Sequence, residues 1–458
     1  MQVFPSVRNA EHIQQSHLFY QDGRRRPLVD RAEGIYIRDV HGRRYIDGSS
    51  GAMVSNIGHS NPRVLAAMKA QMDRATFAYR LHFENEPSEE LASLIAARMP
   101  EDLDRVFFVS GGSEAVESAL KMARQYAIAA GEPRRSKVIS LFPSYHGSTL
   151  GATAVTGMTQ FVEPFRDMLR VMPKIPAATC YLDRDRLSHE ERGLRYAEYL
   201  CDEILRQGPD TVLAFIFEPV GGASTGALVA PDSWYARVRD ICREFGVLLI
   251  ADEVMSGAGR TGRWLACDHW DLAPDIIVLA KGLAAGYAPL GAMVARRRIV
   301  DAVIANGGYA HGYTYAGNPL SCAAGLAVSR EVLEQGLMEN AERQGRHLRA
   351  RLAALMDRYP FIGDVRGKGL LLAFELVRDR DTMQPLEPSL NAHLELVEEA
   401  YRRGLIIYSR RTRGGIVGDH FMVCPPLIVT EEQIAEIVDI LEASLDAFAA
   451  ANDLPVER

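Results

Sequence analysis

Lysine is scarce in this chain. Among 52 basic residues it occurs only at Lys69, Lys121, Lys137, Lys174, Lys281 and Lys368, and arginine supplies the rest. The six cysteines (Cys180, Cys201, Cys242, Cys267, Cys322, Cys424) are scattered, with no Cys-x-x-Cys pair. That spacing excludes a zinc site and a disulfide framework, and it suits free thiols in a reducing, cytoplasmic compartment. An excess of one charge is missing too. The net charge is −7 with no long run of one sign, which points away from nucleic acid and from an anionic membrane surface. The nearest basic patch, Arg24-Arg25-Arg26, is three residues long and is expected to be a solvated loop. No apolar run approaches the length of a membrane span, and the opening MQVFPSVRNAEHIQQ has no signal-peptide pattern. There is no internal repeat, P-loop, GxGxxG, GxSxG elbow, metal-ligand cluster or Cys–His signature.

What is present is an ordinary enzyme composition, 47% hydrophobic and 24% charged over 458 residues, long enough for two to three domains. Residues 247–286 hold two short apolar runs, Val247-Leu248-Leu249-Ile250 and Ile276-Ile277-Val278-Leu279. Both are β-branched and unalternating, as in strands buried on both faces of a parallel sheet. The first ends in Asp252 and Glu253, the second in Lys281, and each charge is boxed by small residues such as Ala251, Ala280 and Gly282. Charges just past the carboxyl ends of neighbouring parallel strands lie where open α/β sheets place ligands, although a single such charge commonly just faces water. A lysine there, in a lysine-poor chain, is set apart from background.

The pattern of strand, small-residue turn and helix recurs. Residues 106–109 run into Ser110-Gly111-Gly112-Ser113-Glu114-Ala115 and then an amphipathic helix to about residue 130. Glycines beside a helix start make an anion site, or equally a simple N-cap. Residues 137–141 end in Pro143-Ser144-Tyr145-His146-Gly147, and residues 212–217 end in Glu218-Pro219-Val220-Gly221-Gly222. A helix from 232 to about 245 links that strand to the Asp252 strand, and residues 291–294 form a further strand of undetermined direction. The repetition predicts an α/β fold with a mostly parallel sheet.

Upstream, residues 34–51 alternate around His41-Gly42 as a β-hairpin, and a helix begins near Arg63. His59, beside that helix start, is expected to be a structural hydrogen-bonding group. Downstream come a small-residue helix and then a long charged helix over residues 329–359. A glycine-broken strand (365–374), a helix (388–403), a strand (405–408), an arginine-rich flexible loop (410–418) and a final helix (430–450) complete the chain. The expected organisation is an N-terminal segment (1–60) packing with a C-terminal α+β unit (329–458), around a large domain (61–328).

An anion cradle, an aromatic ring, acids and an amine at strand ends are the parts that hold pyridoxal 5′-phosphate (PLP). The segments SGGSEA (110–115), YHG (145–147), EPVGG (218–222), DEVMSGAGRTG (252–262), DIIVLAKG (275–282) and HGYTYAGNP (311–319) stand in the order and spacing of one family. Through them the chain resembles the class III aminotransferases, PLP enzymes of fold type I. Its CPPLIVT segment (424–430) is similar to the ω-amino acid and amine:pyruvate branch.

The resemblance implies roles. Lys281 would form the Schiff base with PLP and carry the substrate proton, and Asp252 would pair with the pyridine nitrogen. Val254 and Tyr145 would sandwich the ring, and Gly112 and Ser113 would bind the phosphate. Thr314 would reach the phosphate of a neighbouring subunit, making the active unit a homodimer, with pairing into tetramers left open. Glu218 stands where the family often has an acid that pairs with a mobile arginine or orients the cofactor. The implied activity transfers an amino group from an amine or ω-amino acid to pyruvate or a similar 2-oxo acid. Racemase, aminomutase or decarboxylase chemistry would use the same cofactor residues, and a non-catalytic binding protein on this fold is the further alternative. Arg410, Arg411 or Arg413 would supply a carboxylate clamp, and Met53, Tyr79 and Arg80 would line the substrate pocket.

Overall fold

The unalternating apolar runs become the interior of a seven-stranded sheet. Its order is Arg105–Val109, Gly291–Ala295, Ile276–Leu279, Leu248–Asp252, Val212–Phe217, Lys137–Phe142 and Lys174–Pro176. The last five pair in parallel, whereas Gly291–Ala295 runs antiparallel to both neighbours. Every residue of Val212–Phe217, Leu248–Asp252 and Ile276–Leu279 is buried, as strands covered on both faces require. This computed structural model describes residues 17–19, 25–100 and 102–457. The opening residues read for a leader, and Arg24 of the basic run, lie outside them.

Register aligns the strand ends. Phe217 is level with Ala251, Ala251 with Ile277 and Asp252 with Val278, so Glu218, Asp252 and Lys281 leave neighbouring strands along one edge. Helices cover the faces. Gly112–Ala129 packs against the Gly291–Ala295 and Ile276–Leu279 strands, and His189–Gln207 packs against Asp232–Phe245. The helix His189–Gln207 is closed by a capping box in which Ser188 and Glu191 satisfy each other's backbone N–H groups.

Two smaller sheets flank this one. Tyr36–Asp39 and Arg44–Asp47 form the expected hairpin, whose turn is held by Asp39 Oδ1 accepting from the N–H groups of His41 and Arg43. Val29–Glu33 extends it on one side, and Leu405–Ile406, from near the other end of the chain, adds in parallel beside Arg44–Asp47. His59 is structural, its Nε2 3.0 Å from Asp47 Oδ2. The third sheet comprises Ile362–Lys368, Leu371–Asp379, Val417–Val423 and Tyr408–Arg413, with Gln384–Pro385 pairing to Leu371–Asp379.

Three expectations are corrected here. The charged helix does not begin at residue 329: Pro319–Glu334 continues through that position, the chain turns at Gln335-Gly336, and Leu337–Arg358 follows. Residues 365–374 are not one broken strand but two antiparallel strands, with Gly369 and Leu370 in the turn between them. Residues 410–418 are not a loose loop. Tyr408–Arg413 and Val417–Val423 pair antiparallel, and the glycines Gly414 and Gly415 make the tip. A strand reading Tyr-Ser-Arg-Arg-Thr-Arg carries no hydrophobic period, so its polarity masks it in the sequence.

Candidate functional site

Seven of the residues named from the sequence line one cavity of about 460 Å³ at the carboxyl edge of the large sheet: Gly112, Ser113, Tyr145, Glu218, Asp252, Val254 and Lys281. The strand ends deliver the charged groups and the turns deliver the rest. Successive side chains of a strand point to opposite faces, which separates the adjacent acids. Asp252 faces the cavity, whereas Glu253 turns away, bonded by Ser256 Oγ and the Cys267 N–H.

Asp252 is 5% exposed and held from two sides. His146 Nδ1 lies 2.7 Å from its Oδ2, and the Val254 N–H donates to its Oδ1 at 3.1 Å. Since an ionised carboxylate only accepts, this geometry puts the proton on Nδ1 of His146. His146 Nε2 is buried without a partner among the described residues. His146 is the functional residue the sequence reading passed over. It stood in view between Tyr145 and Gly147, but nothing local showed that its ring reaches across to a strand 106 residues on.

Lys281 has φ of 43°, a left-handed conformation that non-glycine residues adopt at a cost and that is met at functional positions. Burial of its amine lowers its pKa to about 8, against the opposing pull of the Asp252 and Glu218 carboxylates. Gly282 leaves room for the Asn56 carboxamide, which in turn is held by Arg260 and bonds the Ala258 carbonyl. Glu218 accepts from the N–H groups of Gly222 at 2.9 Å and Tyr145 at 3.2 Å, and burial raises its pKa.

The cradle is the N-terminus of the 18-residue helix Gly112–Ala129, preceded by extended Gly111. The first N–H groups of a helix have no intrahelical acceptor, and the dipole there favours an anion. A Cβ on Gly112 would sit 3.0 Å from Val254 Cγ1, so a side chain there would press on Val254 and narrow the slot. Gly147, at φ of 135°, lets the Tyr145 turn pass within reach of Ser113, whose Oγ accepts from the Ser148 N–H at 3.0 Å. The residues present fit PLP. An acceptor carboxylate, a neutralisable amine and an anion cradle surround a space that Val254 and Tyr145 also line.

The other named residues lie elsewhere. Thr314, Tyr79 and Arg80 line a separate cavity of about 650 Å³. Met53 is 1% exposed and packs with Val220, Leu371 and Met422, while its neighbour Val54 lines the central cavity. The hairpin separates the arginines. Arg411 is paired with Asp419 at 3.0 Å, and Arg413 bonds the Met383 carbonyl. Arg410 stacks over the Tyr408 ring at 4.7 Å and donates to the Ser409 carbonyl at 3.3 Å.

Comparison with known proteins agrees with this geometry. The family model for class III aminotransferases matches residues 20–445. An uncharacterized aminotransferase of Bacillus subtilis is 40% identical over 92% of this chain and 95% of its own length. A putrescine–pyruvate aminotransferase of Pseudomonas aeruginosa is 34% identical over 93% of this chain and 91% of its own. Among solved structures, an amine transaminase from an uncultivated Pseudomonas species, in its PLP-bound form, superposes with a TM-score of 0.87 at 36% identity, covering 94% of this chain and 99% of that one. With the strand-end lysine and acid, the glycine cradle and these likenesses in agreement, the chain belongs to the class III aminotransferases and is a PLP-dependent transaminase of fold type I.

Proposed function

We propose that this enzyme transfers the amino group of an amine or ω-amino acid to pyruvate or a similar 2-oxo acid. The observation that carries the proposal is the cation pattern of the site. Lys281 is the only Lys or Arg lining the central cavity among the described residues, and Val54, Met255, Pro289 and Leu290 add apolar surface. Such a wall accepts an amine bearing no carboxylate. The oxo acid's carboxylate then needs a guanidinium brought in from outside. Among the described residues Arg410 and Arg413 are the hairpin arginines in no ion pair, and Arg413 is anchored on the Met383 carbonyl, which leaves Arg410. Likeness to the putrescine–pyruvate enzyme and to the amine transaminase supports the same substrates.

PLP, when bound, supplies an electron-withdrawing ring and the aldehyde that receives the migrating amino group. The chain does the rest. The amide N–H groups of Gly112 and Ser113 would hold the phosphate, while Val254 and Tyr145 would confine the ring. Asp252, oriented by His146, would hold a proton on the pyridine nitrogen. Lys281 would tether the cofactor, and its Nζ would take and return the substrate proton. An amine with a pKa near 8 does both close to neutral pH. Glu218 orients the Tyr145 turn.

We take the active unit to be a homodimer in the cytoplasm. Thr314, Tyr79 and Arg80 border a second cavity near exposed Phe77, Leu81 and Tyr315, an apolar face suited to a second copy that would bring Thr314 to its phosphate. Residues 61–328 would form the large domain, with 1–60 and 329–458 together forming the small unit. The test is a donor screen against pyruvate and 2-oxoglutarate. Turnover of simple amines with pyruvate supports the reading, whereas turnover confined to α-amino acids with 2-oxoglutarate overturns it.

A further inference from the structure

A third cavity, of about 480 Å³, opens where the Leu337–Arg358 helix and the turn after Ile362–Lys368 meet residues 261–269. The backbones approach closely there. A Cβ on Gly345 would collide with the Gly369 carbonyl, and one on Gly369 with the backbone of Thr261. Five permanent cations line this space: Arg263, Arg346, Arg349, Arg366 and Lys368, against two carboxylates, Glu342 and Asp364. Both carboxylates are already engaged, Glu342 by Arg346 at 2.8 Å and Asp364 by Arg366 at 2.8 Å.

That leaves Arg263, Arg349 and Lys368 with no ion pair among the described residues, converging on one cavity in a chain whose net charge is −7. Lys368 is half-buried, its ammonium 5.3 Å from the centre of the Trp270 ring. Arg366 is 7% exposed and also paired with buried Glu375 at 2.8 Å, yet its Nε is a buried donor with no acceptor among the described residues. Clustered cations repel one another, and a buried guanidinium with an unused donor is costly. A bound anion relieves both. Arg263 and Thr261 come from the turn that follows the Asp252 strand, Arg349 and Lys368 from the C-terminal unit, so one ligand would touch both parts.

We propose that this cavity is a binding site for a small organic polyanion, a phosphate ester or a di- or tricarboxylate, separate from the catalytic cavity. Guanidinium forks suit both oxyanion types, and two or more negative charges are needed to engage cations on opposite walls. The phosphate cradle of Gly112 and Ser113 is no competitor in the holoenzyme, where the cofactor fills it.

The test is calorimetric titration of PLP-loaded enzyme with pyrophosphate and, separately, with citrate, against sodium chloride of matched ionic strength. Saturable binding of at least one anion at one site per chain is expected, and which anion binds distinguishes the phosphate source from the carboxylate source. The double variant Arg349→Gln, Lys368→Gln removes two exposed or half-buried charges away from the catalytic cavity. It should weaken that binding by about tenfold or more and leave turnover unchanged. Absence of saturable heat with both anions, or equal affinity in the double variant, overturns the proposal.

Discussion

At the scale of single residues, the site is a set of charges arranged by burial. Lys281 lies beside two carboxylates and still has its pKa pulled down from 10.5 to about 8, because its enclosure outweighs them. The unfolded chain therefore binds more protons than the folded one between about pH 8 and 10.5, so stability rises with pH across that interval and the full penalty is present below it. Cofactor-free Lys281→Met should consequently unfold at higher denaturant than cofactor-free wild type at pH 7, by up to about 3 kcal/mol. The gap should shrink as pH is raised from about 8 to 10.5, which a pH series of urea melts measures. Asp252→Asn keeps the shape and loses the charge. It should lower kcat by about 10²- to 10³-fold with the far-ultraviolet circular dichroism unchanged. Lys281 and Asp252 were legible in the sequence because a charge boxed by small residues after a buried strand is conspicuous. The part played by His146 was not, since its bond to Asp252 exists only once two strand ends meet.

At the scale of elements, apolar patterning named the interior strands and failed where polarity or glycine hid the period. Residues 212–217 announce themselves, whereas Tyr408–Arg413 hides three arginines in a strand. Its pairing with Val417–Val423 gives the arginines distinct surroundings, which no reading of the sequence distinguished. Arg411 is locked by Asp419, and Arg410 rests on Tyr408. Arg410→Gln should therefore raise the KM for pyruvate by about tenfold, the worth of a charge-assisted pair, while leaving the KM for a simple amine donor nearly unchanged. Steady-state kinetics with each substrate varied in turn checks the split. Equal shifts in both would assign Arg410 to folding rather than to carboxylate recognition.

At the scale of the whole molecule, one buried side chain ties the chain's distant parts together behind the catalytic lysine. Arg260 is 0% exposed and donates to the Pro425 carbonyl at 2.6 Å, Asn56 Oδ1 at 2.7 Å and Ser50 Oγ at 3.1 Å. It thus joins the segment that follows the N-terminal hairpin, the turn after the Asp252 strand and residues 424–425 near the C-terminus. The sequence displayed it only as one arginine among many, because its side-chain partners lie 110 to 210 residues away. Arg260→Met strands those acceptors, and equilibrium urea unfolding should show a loss of more than about 3 kcal/mol. The central claim, that these parts together run a transamination, is tested most directly in a half-reaction. Purified holoenzyme is mixed with an amine donor and no oxo acid, and the visible absorbance of the bound cofactor is followed. The account predicts that the band disappears as one equivalent of carbonyl product forms, and that it returns on adding pyruvate. A band that persists while the donor is consumed, or that fades without carbonyl product, would contradict it.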